Sequence, residues 1–151
     1  MCRHEYAIHL HLGHPQMDLT ELSQKLSETP SFKIKRMWKA NDPRQTPKGQ
    51  KLDGHYTESY CSFDFFEGWK KSDQESLPDV FEKILEQLVP FKDTLHDFIQ
   101  SGGSLEFIVA LFINANSAVI FYPDLLKKLA DFNIALWFDI YPPDSKKQQE
   151  D

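Results

Sequence analysis

Leu105-Glu106-Phe107-Ile108-Val109-Ala110-Leu111-Phe112-Ile113 carries one charge in nine residues. An extended chain shows alternate residues to opposite faces, so this run is apolar on both and reads as a strand central in a sheet. Downstream, Asn114 to Ser117 turns the chain and Ala118 to Phe121 reads as a short strand. Pro123 to Asp131 follows as a helix with Leu125, Leu126 and Leu129, Asn133 caps it, and Ile134 to Tyr141 is the last strand. Upstream, Ser76-Leu77-Pro78-Asp79 opens a helix with Pro and an acid in its first turn. Its buried stripe is Val80, Phe81, Ile84, Leu85 and Leu88. Pro90 breaks it, and a second helix with Phe91, Leu95, Phe98 and Ile99 closes at Gly102-Gly103.

The N-terminal half alternates. Tyr6, Ile8, Leu10 and Leu12 point one way, and Ala7, His9 and His11 the other, a half-buried strand ended by Gly13-His14-Pro15. Asp18 and Glu21 form a capping-box-like start to a helix with Leu19, Leu22 and Leu26, which Thr29-Pro30 stops. In a second strand Phe32, Ile34 and Trp38 face inward and Lys33, Lys35 and Lys39 outward, while Arg36 breaks the inner face. Asn41 to His55 reads as a long loop, with two Pro and two Gly. Tyr60 to Phe66 is a strand, followed by a turn at Gly68. The expected architecture is α+β: a mixed or mostly antiparallel sheet with helices mainly on one face, somewhat ferredoxin-like. One domain spans residues 1–141, and the polar tail 142–151 is read as disordered.

At 151 residues the chain is long enough for one core without metal or disulfide staples. Its two cysteines, Cys2 and Cys61, are read as free thiols in a reducing compartment. No apolar run follows the charged N-terminus and none approaches ~18 residues, so neither a signal peptide nor a membrane span is expected. The cytoplasm is the expected location. A pI of 5.5 argues against nonspecific binding of the whole protein to nucleic acid or anionic lipid.

Charge is sorted along the chain. Lys33 to Lys51 holds seven bases and one acid, +6 in a protein of net −6, whereas Asp53 to Asp97 holds eleven acids and four bases. Lys39, Asn41, Asp42, Arg44, Lys48 and Lys51 form the candidate site for an anionic ligand. Asp64, Glu67, Asp73 and Glu75, on a strand end and turn, are the candidate contacts to a basic partner. His9 and His11 share a strand face, but no third ligand is identifiable and no metal or other cofactor is assigned. Asp139, between Trp137 and Tyr141, needs a partner, with Arg36, His9 or His11 as candidates. A structural pair is the expected role, and catalysis by His9, His11 and Asp139 the alternative. Phosphate-loop, dinucleotide and nucleophile-elbow motifs are absent.

Leu12-Gly13, Leu19 to Leu26, Trp38-Lys39-Ala40-Asn41-Asp42-Pro43-Arg44, Pro123 to Leu129 and Phe138-Asp139-Ile140-Tyr141 occur in the order seen in the domain-of-unknown-function family 4279. The chain resembles that family from Tyr6 to Tyr141. Asn41 stands where the family tends to have Gly, and Tyr60 near where a second Trp is usual; Asn tolerates the left-handed conformation such a site needs. The resemblance implies a bacterial fold of this layout and carries over no catalytic residues. The expected function is a non-catalytic, immunity-type protein that neutralises a basic toxin domain by protein–protein contact. Alternatives are a regulatory domain using the basic loop and an enzyme with a His9/His11/Asp139 site.

Overall fold

The computed structural model describes residues 3–143. Its elements are β1 (His4–His14), α1 (Thr20–Ser27), β2 (Lys33–Trp38), β3 (Pro43–Gln45), β4 (Lys51–His55), β5 (Ser59–Asp64), β6 (Lys70–Lys71), α2 (Leu77–Leu88), α3 (Lys92–Gln100), β7 (Ser104–Ile113), α4 (Pro123–Asp131) and β8 (Ile134–Tyr141). The main sheet runs β2-β5-β1-β7-β8, and β6 pairs with the start of β1. All pairings are antiparallel except β7 with β8. β1, β2, β5 and β7 with their helices form the split β-α-β arrangement of a ferredoxin-like fold. The β3–β4 hairpin is inserted into it, and α4–β8 is appended beside β7.

Burial follows the pleat. Tyr6, Ile8, Leu10 and Leu12 of β1, Cys61 and Phe63 of β5, and Leu105, Phe107, Val109 and Leu111 of β7 form one core with the apolar stripes of the four helices. Burial raises the pKa of the Cys61 thiol. Ser76 caps α2 by accepting from the Asp79 N–H, as its sequence suggests. Tyr6 donates from its hydroxyl to the Glu75 carbonyl (2.7 Å), tying the start of α2 to the central strand. Among the described residues no helix is long and apolar enough to cross a membrane.

Six local expectations are corrected. β1 continues through Gly13 and His14, because the β7 ladder reaches Gly13 and the β5 ladder His14. His14 is buried: its Nδ1 accepts the Gln16 and Met17 N–H groups while Nε2 reaches the Ser101 carbonyl at 3.1 Å. Asp18 makes no capping box; it accepts from the Thr20 N–H and hydroxyl, and α1 begins at Thr20 without a side-chain cap. The Asn41–His55 segment is a hairpin rather than an irregular loop. Left-handed Asn41, Gly49 and Gly54 let it fold back, and reciprocal Asn41–Tyr56 and Tyr56–Asp42 backbone bonds close its base. Residues 118–121 form no strand, since β7 is flanked on both sides and offers no edge to pair with.

The fifth correction decides one face of the molecule. The β2–β5 register shifts between Ile34 and Arg36. One extra residue in a strand reverses the face of all that follow. Arg36 and Trp38 therefore leave the helix-covered side, whereas Ile34, before the shift, stays opposite buried Phe63 and is 38% exposed because β2 is the edge strand. The β5 strand itself stops at Asp64, two residues short of the expected Phe66. The tail reading at 144–151 lies outside the described residues.

Gly103, between α3 and β7, has no room for a side chain. An added Cβ would sit 2.5 Å from the ring of Phe98, which is buried and cannot swing aside. Gly103→Ala is expected to destabilise the fold by about 1–3 kcal/mol. Urea unfolding should show a lower midpoint at unchanged slope.

Candidate functional site

All helical stripes pack on one side of the sheet, and no helix covers the other side among the described residues. The strand registers arrange its side chains in rows. Lys33, Asp64, His9, Ile108 and Trp137 form one row, and Arg36, Ser62, His11, Glu106 and Ala135 the next. Trp38 and Tyr60 lie beyond the second, towards Gly13; Ala110 with Asp139, then Phe112 with Tyr141, lie beyond the first.

Aromatic contacts hold two corners of this face. At the β2 corner Trp38 stacks on Tyr56 and on Tyr60, both at 4.3 Å between centroids. The Arg36 guanidinium lies 4.8 Å from the Trp38 ring, and the Trp38 indole donates to the Glu58 carbonyl at 3.0 Å. Tyr60 continues the cluster to His11, with rings 5.1 Å apart and its hydroxyl 3.1 Å from Nε2. At the opposite corner Phe112 stacks on Tyr141 at 4.7 Å and meets the edge of Trp69 at 4.2 Å. Between them His9 pairs with Asp64 above a hollow of about 760 Å³, lined also by Lys33, Lys35, Phe66 and Trp69.

Burial lowers the pKa of His11, and the neighbouring His9 and Lys35 charges push the same way, against Asp64. Burial also lowers His4, whose Nδ1 meets the Ser117 hydroxyl at 2.6 Å. The Tyr60 hydroxyl is raised, chiefly by burial.

His9, His11 and Asp139 share this face but do not converge. β7 lies between β1 and β8, His9 takes Asp64, His11 takes Tyr60, and Asp139 accepts from the Trp137 indole at 2.9 Å. The partner expected for Asp139 among Arg36, His9 and His11 is thus replaced by a neighbour on its own strand. No group of three His, Cys, Asp or Glu among the described residues is arranged to hold a metal ion. His14 is committed to the turn after β1.

The four acids are also divided. Asp64 and Glu67 line the hollow on the open face, whereas Asp73 and Glu75 line another beside α2. The Glu75 carboxylate is held by Lys83 at 3.0 Å and Lys70 at 3.4 Å, which lower its pKa. Lys39, Asn41, Asp42, Arg44, Lys48 and Lys51 are exposed along the hairpin and its approach. Arg44 donates to the Asp53 carbonyl at 3.3 Å, and Asp42 accepts from the Lys39 N–H at 3.4 Å. Arg36 donates to the Gln45 carbonyl at 2.9 Å, so it braces the hairpin as well as covering Trp38. The importance of Tyr60 and Ser62 was not read from the sequence, although their alternation with buried Cys61 and Phe63 is a visible signal.

A family model described as Domain of unknown function (DUF4279) matches residues 4–143. The chain belongs to this family. The DUF4279 match begins with β1 and ends two residues after β8, so it includes the inserted hairpin and the appended α4–β8 unit. No curated protein and no solved structure matches the chain.

The histidines make acid stability testable. The unfolded chain protonates its histidines near ~6.5, whereas folded His4 and His11 hold the neutral form to lower pH. Their contribution is therefore complete above the unfolded value and is lost as pH falls through the lowered folded values. The melting temperature should decrease as pH drops below about 6.5, and His11→Gln should make that decrease shallower. Thermal scans across this range check it; equal slopes for both proteins would remove His11 from the account.

Proposed function

We propose that the chain is a non-catalytic binding domain of the immunity type, which neutralises a bacterial toxin by covering it with the open face of the sheet. One observation carries the reading: a six-stranded sheet has its helices on one side and presents Arg36, Tyr60, Ile108, Trp69 and Trp137 on the other. Arg, Tyr and Trp are the residue types that dominate binding energy at protein interfaces. Five long strands about 4.8 Å apart, each roughly eight residues of ~3.3 Å, present on the order of 500 Å² before side-chain relief. That is comparable with the ~800 Å² per partner of a standard interface. The net charge of −6 suits a basic toxin domain, whose approach it would accelerate.

The division of the acids refines the contact set. Asp64 and Glu67 border the open face and belong to the proposed interface, while Asp73 and Glu75 lie at another hollow. A second reading, a regulatory domain for an anionic small ligand, is favoured by Lys33, Lys35 and His9 around one hollow.

The test uses the toxin domain encoded beside this gene. Trp69→Ala should speed dissociation about tenfold or more, and Glu67→Lys should slow association at low salt. Asp73→Lys and Lys48→Glu should leave dissociation unchanged, and Lys48→Glu should leave association unchanged or faster. Loss of binding confined to the last two variants would reject the open face. Retention on immobilised phosphate, abolished by Lys33→Glu with Lys35→Glu and accompanied by no toxin binding, would select the second reading.

A further inference from the structure

The two edges of the sheet are built differently. β2 has the devices that discourage pairing: Lys33, Lys35 and Arg36 within six residues, Lys39 just beyond, and a register shift between Ile34 and Arg36. β8 has none of them. Ile134 to Tyr141 contains one charge, Asp139, and no Pro or Lys. Its ladder to β7 runs unbroken from Leu105–Ile134 to Phe112–Tyr141. Among the described residues β8 pairs with β7 alone. Alternate residues of such a strand direct their N–H and C=O groups outward, about four of each, in a row that another strand can complete.

Apolar side chains flank that row. Trp137 is 54% exposed on the open face, and Ile140 is 61% exposed on the helix side. Phe121 packs against Phe138 at 5.9 Å, while its neighbours Ile120 (58%) and Tyr122 (68%) are exposed around a hollow beside the start of α2. With Leu126 on α4, five of the eleven exposed large apolar residues among the described residues belong to the segment from 120 to 140. A fully covered aromatic side chain buries ~150–250 Å², so Trp137 together with Ile140 supplies roughly 300 Å² per copy, to which the strand edge adds. A standard interface needs roughly 800 Å².

We propose that β8 pairs antiparallel with β8 of a second copy of this chain, about a two-fold axis perpendicular to the sheet. The surface is suited to itself. An antiparallel pair centred on Trp137 sets Trp137 beside its equivalent, Ile140 opposite Ile134 and Asp139 opposite Ala135, so the one charge meets no like charge. β2 cannot do the same, because its lysines would face lysines. The pairing joins two sheets into one and places both open faces on the same side. The inference is independent of which partner the open face takes.

The experiment is sedimentation of the full chain from micromolar to several hundred micromolar, with amide hydrogen exchange at both ends of that range. The expected result is a dimer mass and added protection of amides in Ile134–Tyr141 at high concentration. Trp137→Lys and Ile140→Lys change exposed positions and should leave a folded monomer, whereas Lys35→Glu on β2 should leave the dimer intact. A monomer at every concentration overturns the proposal. So does a dimer that survives both β8 substitutions, or one whose β8 amides gain no protection.

Discussion

Burial on one side of β1 is the constraint from which the rest follows. Tyr6, Ile8, Leu10 and Leu12 are at most 2% exposed, while His9 and His11 on the alternate positions remain half-buried. Each buried side chain of this kind is worth roughly 1.5–3 kcal/mol relative to exposure, so a slip by one residue would forfeit most of the core and bury two imidazoles. β1 lies at the middle of the sheet, with β5 and β6 on one side and β7 on the other, and its alternation is imposed on every neighbour through their ladders. α1, α2, α3 and α4 then have only one apolar surface to cover. The open face is the necessary counterpart of that choice.

What the open face displays depends on the extra residue in β2. Without it Trp38 would point towards the helices, as the simple alternation suggests. With it, Trp38 lies across the sheet from Tyr60 and receives Tyr56 from the hairpin, so a polar insertion is anchored by stacked rings. Arg36 turns with it and donates to Gln45, joining the same hairpin to the sheet. The basic segment is thus held at one corner of the molecule, where its lysines also protect the β2 edge. At the far edge β8 lacks comparable protection.

The electrostatic pattern has a similar logic. A chain of net charge −6 does not present one acidic surface, because local pairs consume part of the charge. Glu75 is neutralised by two lysines, Glu82 by Lys128, and Asp131 by Lys127. Exposed pairs of this kind contribute little to stability, but they decide which acids remain to act at a distance. Asp64 is spent on His9, which leaves Glu67 as the more accessible carboxylate beside the same hollow.

Much of the fold was legible in the residues because the relevant signals are local. The stripe of α2 and its Ser76 cap, the helix from Pro123 to Asp131, the strand from Ile134 to Tyr141 and the two-sided apolar run of β7 all repeat within a few residues, at 3.6 or at 2. The left-handed suitability of Asn41 was equally a property of one side chain. Tertiary structure alone decided the reversal at Arg36, the hairpin between Pro43 and His55, and the absence of a strand at 118–121. It also decided that Asp139 turns to Trp137 and that Asp64 and Glu67 part from Asp73 and Glu75. Each of these depends on which strand lies alongside which, a relation between residues far apart in sequence. Alternation reports that a strand has two faces; only the packed sheet determines which face is covered and which edge is left open.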